Sequence, residues 1–177
     1  MRGPFGVQSV AIVAPLWKVN LTFDMQNESA AGVYQALLMQ LDGSRNQLSL
    51  YNIGRPTPRG TYAGVGTNTI TTGAAGANTI TLTNASYASA TLKAGDYIGV
   101  GSGTTTQVVM VTADATANGS GVITPTIYPA LRNTVTGGTA TLQYPRALFR
   151  VQGPVGWDYS TVVVDGMSLD LLEDVRP

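Results

Sequence analysis

From Trp17 to Phe23 apolar and polar side chains alternate without a break: Trp17, Val19, Leu21 and Phe23 share one side, and Lys18, Asn20 and Thr22 share the other. A period of two marks a strand with one buried face. Residues 9–13, across Pro15, predict a further extended stretch. The period then changes. Ala30, Ala31, Tyr34, Leu37, Leu38 and Leu41 recur at helical spacing behind a capping residue, Asn27, and Gly43 stands where such a helix would end. The pattern predicts one amphipathic helix covering a sheet. Residues 48–53 return to a short strand, which Arg55-Pro56-Thr57-Pro58-Arg59-Gly60 closes in a rigid, turn-rich segment.

Beyond Gly60 the chain changes alphabet. Up to Leu131 its only charged residues are Lys93, Asp96 and Asp114, in a run dominated by Thr, Gly, Ala, Asn and Val. Strands are predicted at 68–72, 78–83, 97–100, 107–112, 122–128 and 140–144, joined by Gly-rich turns, so hairpins in a small barrel or sandwich follow. The alternation in Thr79-Ile80-Thr81-Leu82-Thr83 argues for a folded module rather than a linker, because β-branched Thr fits a pleated surface. Strands at 148–151, 161–165 and 167–172 then resume the character of the first sixty residues.

A composition shift that reverses itself suggests one domain inserted into another. Residues 1–57 and 146–177 are expected to form one discontinuous domain whose core includes Trp17, Leu37, Leu41, Phe149 and Val163. Residues 58–145 are expected to bury Ile80, Leu82, Ile98, Val109, Ile123 and Leu142 by themselves, as a module removable between Pro58 and Pro145.

Composition narrows the chemistry. With 44% hydrophobic and 11% charged residues among 177, the chain has the makeup of an ordered protein. Its ten basic and ten acidic residues cancel, so no dense basic surface is available for nucleic acid. Cysteine and histidine are both absent, which removes thiolate chemistry, the commonest general base and the commonest metal ligand. Residues 7–16 lack a strongly basic leader, are interrupted by Pro15 and are too short to span a bilayer. We therefore expect a soluble, intracellularly made protein with no catalytic residues, no metal, no cofactor, no specific nucleic-acid binding and no membrane insertion.

Three signatures stand in order within the middle: Pro58-Arg59-Gly60-Thr61, Leu92-Lys93-Ala94-Gly95-Asp96-Tyr97-Ile98, and the run from Ile123 that ends in Pro129-Ala130-Leu131-Arg132. With the Trp17 strand, the Ala/Leu helix and Ser168-Leu169-Asp170-Leu171-Leu172-Glu173, the chain resembles the tailed-bacteriophage distal tail or baseplate proteins over nearly its whole length. The resemblance implies a mainly β fold: a tail-tube-like β-sandwich with one α-helix, interrupted by an inserted small β-barrel or sandwich. It also implies a noncatalytic structural protein of the virion tail tip, made and assembled in the bacterial host cytoplasm. Six copies would form a ring joining the tail tube protein to the tail-tip hub protein, with the insert offered to peripheral tail fibre proteins. A ring would account for the low charge, since covered surfaces need little solvation.

Several residues invite chemistry. Asp158, Asp165, Asp170, Glu173 and Asp174 could pair as catalytic or metal-binding carboxylates, but their spacing follows no cation loop, and solvated strand edges are the simpler reading. Asp96 in Gly95-Asp96-Tyr97 is read as a turn that fixes hairpin register, and residues 99–103 lack the lysine and helix of a phosphate loop. Trp17 and Trp157 are core or interface anchors, or else stacking platforms of a glycan-binding adsorption module, the alternative function. Arg132 could grip a carboxylate at a subunit boundary. Trp17, Arg132, Arg146 and Trp157 are the candidate interface residues.

Overall fold

The computed structural model describes residues 16–23, 26–52, 54–63, 67–153, 163–164 and 167–175. The protein is mainly β, with one α-helix and several sheets among the described residues. Four strands from the two ends of the chain form one antiparallel sheet in the order Lys18–Phe23, Met167–Glu173, Arg146–Val151, Leu48–Tyr51. Its register puts Val19 opposite Leu171, Leu21 opposite Leu169, and Val151 opposite Leu171. The period-two pattern thereby assembles one apolar face from four strands.

The helix Glu28–Leu41 covers part of that face. Leu38 and Leu41 join Ala147, Phe149, Val151, Leu169 and Leu171 in one hydrophobic cluster, with Trp17, Val19, Tyr34 and Leu37 against it. The cluster thus holds Trp17, Leu37, Leu41 and Phe149; the side chain of Val163 lies outside the described residues. The helix ends through left-handed backbone at Asp42 (φ 47°) and Gly43 (φ 62°), and the Asn46 amide side chain donates to the Gln40 carbonyl, serving an otherwise unpaired helix end. Arg150 then ties the following loop to the last strand: it donates to the Ser44 carbonyl (2.7 Å) and pairs with buried Asp174.

The middle of the chain builds a second body. One sheet runs Val122–Ile123, Thr81–Thr83, Asn68–Thr72, Thr139–Ala140, and another runs Ile127–Tyr128, Gln107–Val111, Tyr97–Val100. Single bridges, Thr79 to Thr126 and Gly99 to Thr141, stitch the two sheets together. They surround one core of Tyr62, Ile70, Ile80, Leu82, Leu92, Ile98, Val109, Ile123, Leu142 and their neighbours. Threonines line the outside, with Thr69 opposite Thr83 and Thr139 opposite Thr69.

Some strands are shorter than the sequence pattern predicts. The run 122–128 divides into Val122–Ile123 and Ile127–Tyr128, because Pro125 between them has no amide to donate. The run 78–83 keeps only Thr81–Thr83, and of 140–144 only Ala140 lies in a strand, Thr139–Ala140. Conversely, the flank strand starts at Arg146, two residues before the expected start. No described helix is long and apolar enough to cross a membrane.

Candidate interaction surfaces

Glu173 follows Leu169 and Leu171 on the inward side of the last strand, so alternation carries its carboxylate into the interior. The side chain is fully buried and pairs with Arg132 of the insert, Nη2 to Oε1 at 2.9 Å; the Arg132 side chain is 19% exposed. Its second oxygen accepts from the Trp17 amide at 3.2 Å. Arg132 is held in turn. Its amide donates to Gln107 Oε1 (2.9 Å), Gln107 Nε2 donates to the Ala130 carbonyl (2.9 Å), and the guanidinium also reaches the Thr106 carbonyl at 3.4 Å. A charge pair this deeply placed depends on such additional bonds to offset its desolvation.

Trp17 completes the junction. Its indole Nε1 donates to the Val108 carbonyl at 3.0 Å, and its ring stands edge-on to Tyr97, with centroids 5.7 Å apart. Val108 leaves the insert core and joins the flank cluster. Beside it lies an apolar cavity of about 370 Å³, lined by Trp17, Val19, Leu50, Tyr97, Val108 and Phe149 among others. Arg132 and Trp17 therefore serve an interface inside the chain, between flank and insert. The carboxylate that Arg132 grips is the chain's own.

Asp96 is a buried fastening. Its carboxylate accepts from the amides of Arg59 (2.9 Å), Gly60 (3.2 Å) and Lys93 (2.8 Å), with the Arg59 guanidinium 3.7 Å away. The side chain fixes the turn as expected, and also pins the lead-in to the insert. Gly60 has no room for more: a Cβ there would lie 2.0 Å from the Thr91 carbonyl oxygen.

Arg146 differs from Arg132 in being exposed. Its guanidinium carbon sits 5.8 Å above the Tyr51 ring, and Tyr51 meets Tyr144 edge-on at 5.2 Å. Tyr144 is 49% exposed and has φ of 52°, a conformation unfavourable for a bulky side chain. Its amide donates to the Pro56 carbonyl at 2.6 Å, which ties the segment leading into the insert to the segment leaving it. Tyr144 and Arg146 border a recess of about 250 Å³ with Thr106, Thr141 and Gln143.

The acidic candidates do not converge. Asp170 is on the opposite sheet face from Leu171, where the Asn20 amide and then the Lys18 ammonium hold its carboxyl below the usual range. Glu173 and Asp174 are separately engaged by Arg132 and Arg150. Trp157, Asp158 and Asp165 lie outside the described residues. Among the described residues no group of three or more acidic side chains could hold a metal ion. Sequence reasoning missed Gln107, Tyr51 and Tyr144, and placed Glu173 only among surface carboxylates; nothing in their spacing signals these partnerships.

Compared with known protein families and with curated proteins, the chain finds no match in either.

Proposed function

We propose that the chain is a structural protein of a bacteriophage tail tip, a ring subunit that joins the tail tube to the tail-tip hub and carries an inserted β module for peripheral contacts. One observation carries this reading: the two ends of the chain close into a single four-stranded sheet under one helix, while the residues between them form a second β body. That is the division the family resemblance implies. Two features suit assembly into a ring. The outer strands, Lys18–Phe23 and Leu48–Tyr51, each have one edge without a described strand partner. On the helix, uncharged from Ser29 to Leu41, Val33 and Met39 are exposed.

Native mass spectrometry of the purified chain and the symmetry of its density in tail particles test the proposal. A closed homo-oligomer, six copies by resemblance, with flank strands or adjoining loops at the contacts is the expected result. A chain that remains monomeric in the mature particle would remove it.

A further inference from the structure

We propose that the recess beside Tyr144 binds a single anionic sugar unit, one bearing a carboxylate or a phosphate. The inference does not depend on ring assembly. Arg146 is exposed, its described contact is the face of Tyr51, and none of the six described ion pairs involves it. No acidic side chain lines the recess. A guanidinium placed over an aromatic ring and engaged in none of those ion pairs can offer N–H groups to a planar or tetrahedral oxyanion.

The remaining walls suit a polyol. Gln143 donates one of its two amide N–H groups to the Ala63 carbonyl (3.0 Å), leaving its side-chain oxygen as an acceptor, and Thr141 is exposed and carries a hydroxyl. Thr106 donates to the Gly103 carbonyl at 2.8 Å and retains lone pairs. Tyr144 adds a half-exposed ring, a surface on which the C–H face of a sugar can rest. Its left-handed backbone is the kind of local strain that persists where surrounding structure enforces it and that clusters at ligand sites. At about 250 Å³ the recess falls below the ~300–1,000 Å³ of pockets for drug-sized ligands. One sugar unit fits that scale better than a chain.

The test is an amide-detected NMR titration of the full chain with glucuronate, glucose 6-phosphate, glucose, inorganic phosphate and an acidic peptide. Saturable shifts at Gly101, Thr141, Gln143 and Tyr144 with either acidic sugar, at least about tenfold tighter than with glucose, are expected. Whichever acidic sugar binds identifies the acidic group. Arg146→Gln should weaken the acidic sugars about tenfold, and Tyr144→Ala should weaken them similarly while leaving inorganic phosphate unchanged. Three results on the unaltered chain would overturn the proposal whether or not the variants fold: no saturable shift with either acidic sugar or none tighter than with glucose, inorganic phosphate binding as tightly as a glucose 6-phosphate that does bind, or the acidic peptide occupying the recess when no sugar does.

Discussion

The insert and the flank solve the same burial problem differently. The insert uses strands of two to five residues, too short to be stable alone, and closes them around one apolar centre, so its core is supplied by residues between Tyr62 and Leu142. The main sheet of the flank has longer strands, six or seven residues in three of its four, Lys18–Phe23, Arg146–Val151 and Met167–Glu173, and one described helix lies against it. That helix does not complete its core. Val108 and Tyr97 of the insert cover part of the remaining face, and Arg132 neutralises Glu173, which is buried at that junction. A domain that is discontinuous in sequence is thus also incomplete in packing.

Removing residues 58–145 tests that dependence most severely. The sequence pattern predicts a tolerated deletion, yet it would take Arg132 away from Glu173, whose carboxylate lies on the inward face of its strand, and strip Val108 from the core. We expect the linked flanks to show no cooperative thermal transition by circular dichroism, and Glu173→Gln in the same deletion to recover part of one. A deletion that melts sharply at high temperature would show the flank to be self-sufficient. Arg132→Ala in the whole chain isolates the charge and should cost about 3–5 kcal/mol in denaturant unfolding, the range for breaking a buried pair. Pairing it with Glu173→Leu should return much of that loss, which a double-mutant cycle would measure.

Leu82→Ala, in the closed core of the insert, should cost about 2–5 kcal/mol by equilibrium unfolding. If the parts are coupled through the junction, amide exchange in Leu169 and Leu171 should accelerate as well; protection unchanged there would uncouple them. Trp17→Phe keeps an aromatic side chain, smaller than the indole, but loses the bond to the Val108 carbonyl, and about 1–2 kcal/mol of stability is expected to go with that bond. The smallest effect at neutral pH belongs to Tyr62→Phe. Burial, and then neighbouring Tyr87, push the Tyr62 hydroxyl up to about 12. Its protonated form is favoured by folding, so this contribution is complete below the unfolded value of about 10 and disappears as pH rises through the folded value. The melting temperature of the unaltered protein should fall relative to that of Tyr62→Phe across that alkaline window.

Local periodicity made the helix and the flank strands legible, since each presents a repeated apolar face. It also identified the six core residues named for the insert, all of which lie in its cluster. It failed where one side chain serves two bodies. Gln107, Val108, Val109 and Val111 are all buried because the strand is covered on both faces, and such a run does not reveal which residue turns toward which neighbour. Arg132 and Glu173 are far apart in sequence, and the alternation that buries Leu171 places Glu173 on the same side only once the strand's inward face is known. Tyr51, Tyr144 and Arg146 converge because the segments before and after the insert lie together, a relation that no local pattern encodes.

The bond from the Tyr144 amide to the Pro56 carbonyl has a consequence for how this chain can diverge. Together with the Asp96 bonds to Arg59 and Gly60, it gathers the insert at its base. Once the two ends of an excursion are held together, extra length within it adds little: doubling a flexible loop costs only ~0.6 kcal/mol in closure entropy. Turns such as Asn118-Gly119-Ser120, exposed and outside the junction, are therefore free to lengthen or shorten across generations while the flank beneath them stays in register.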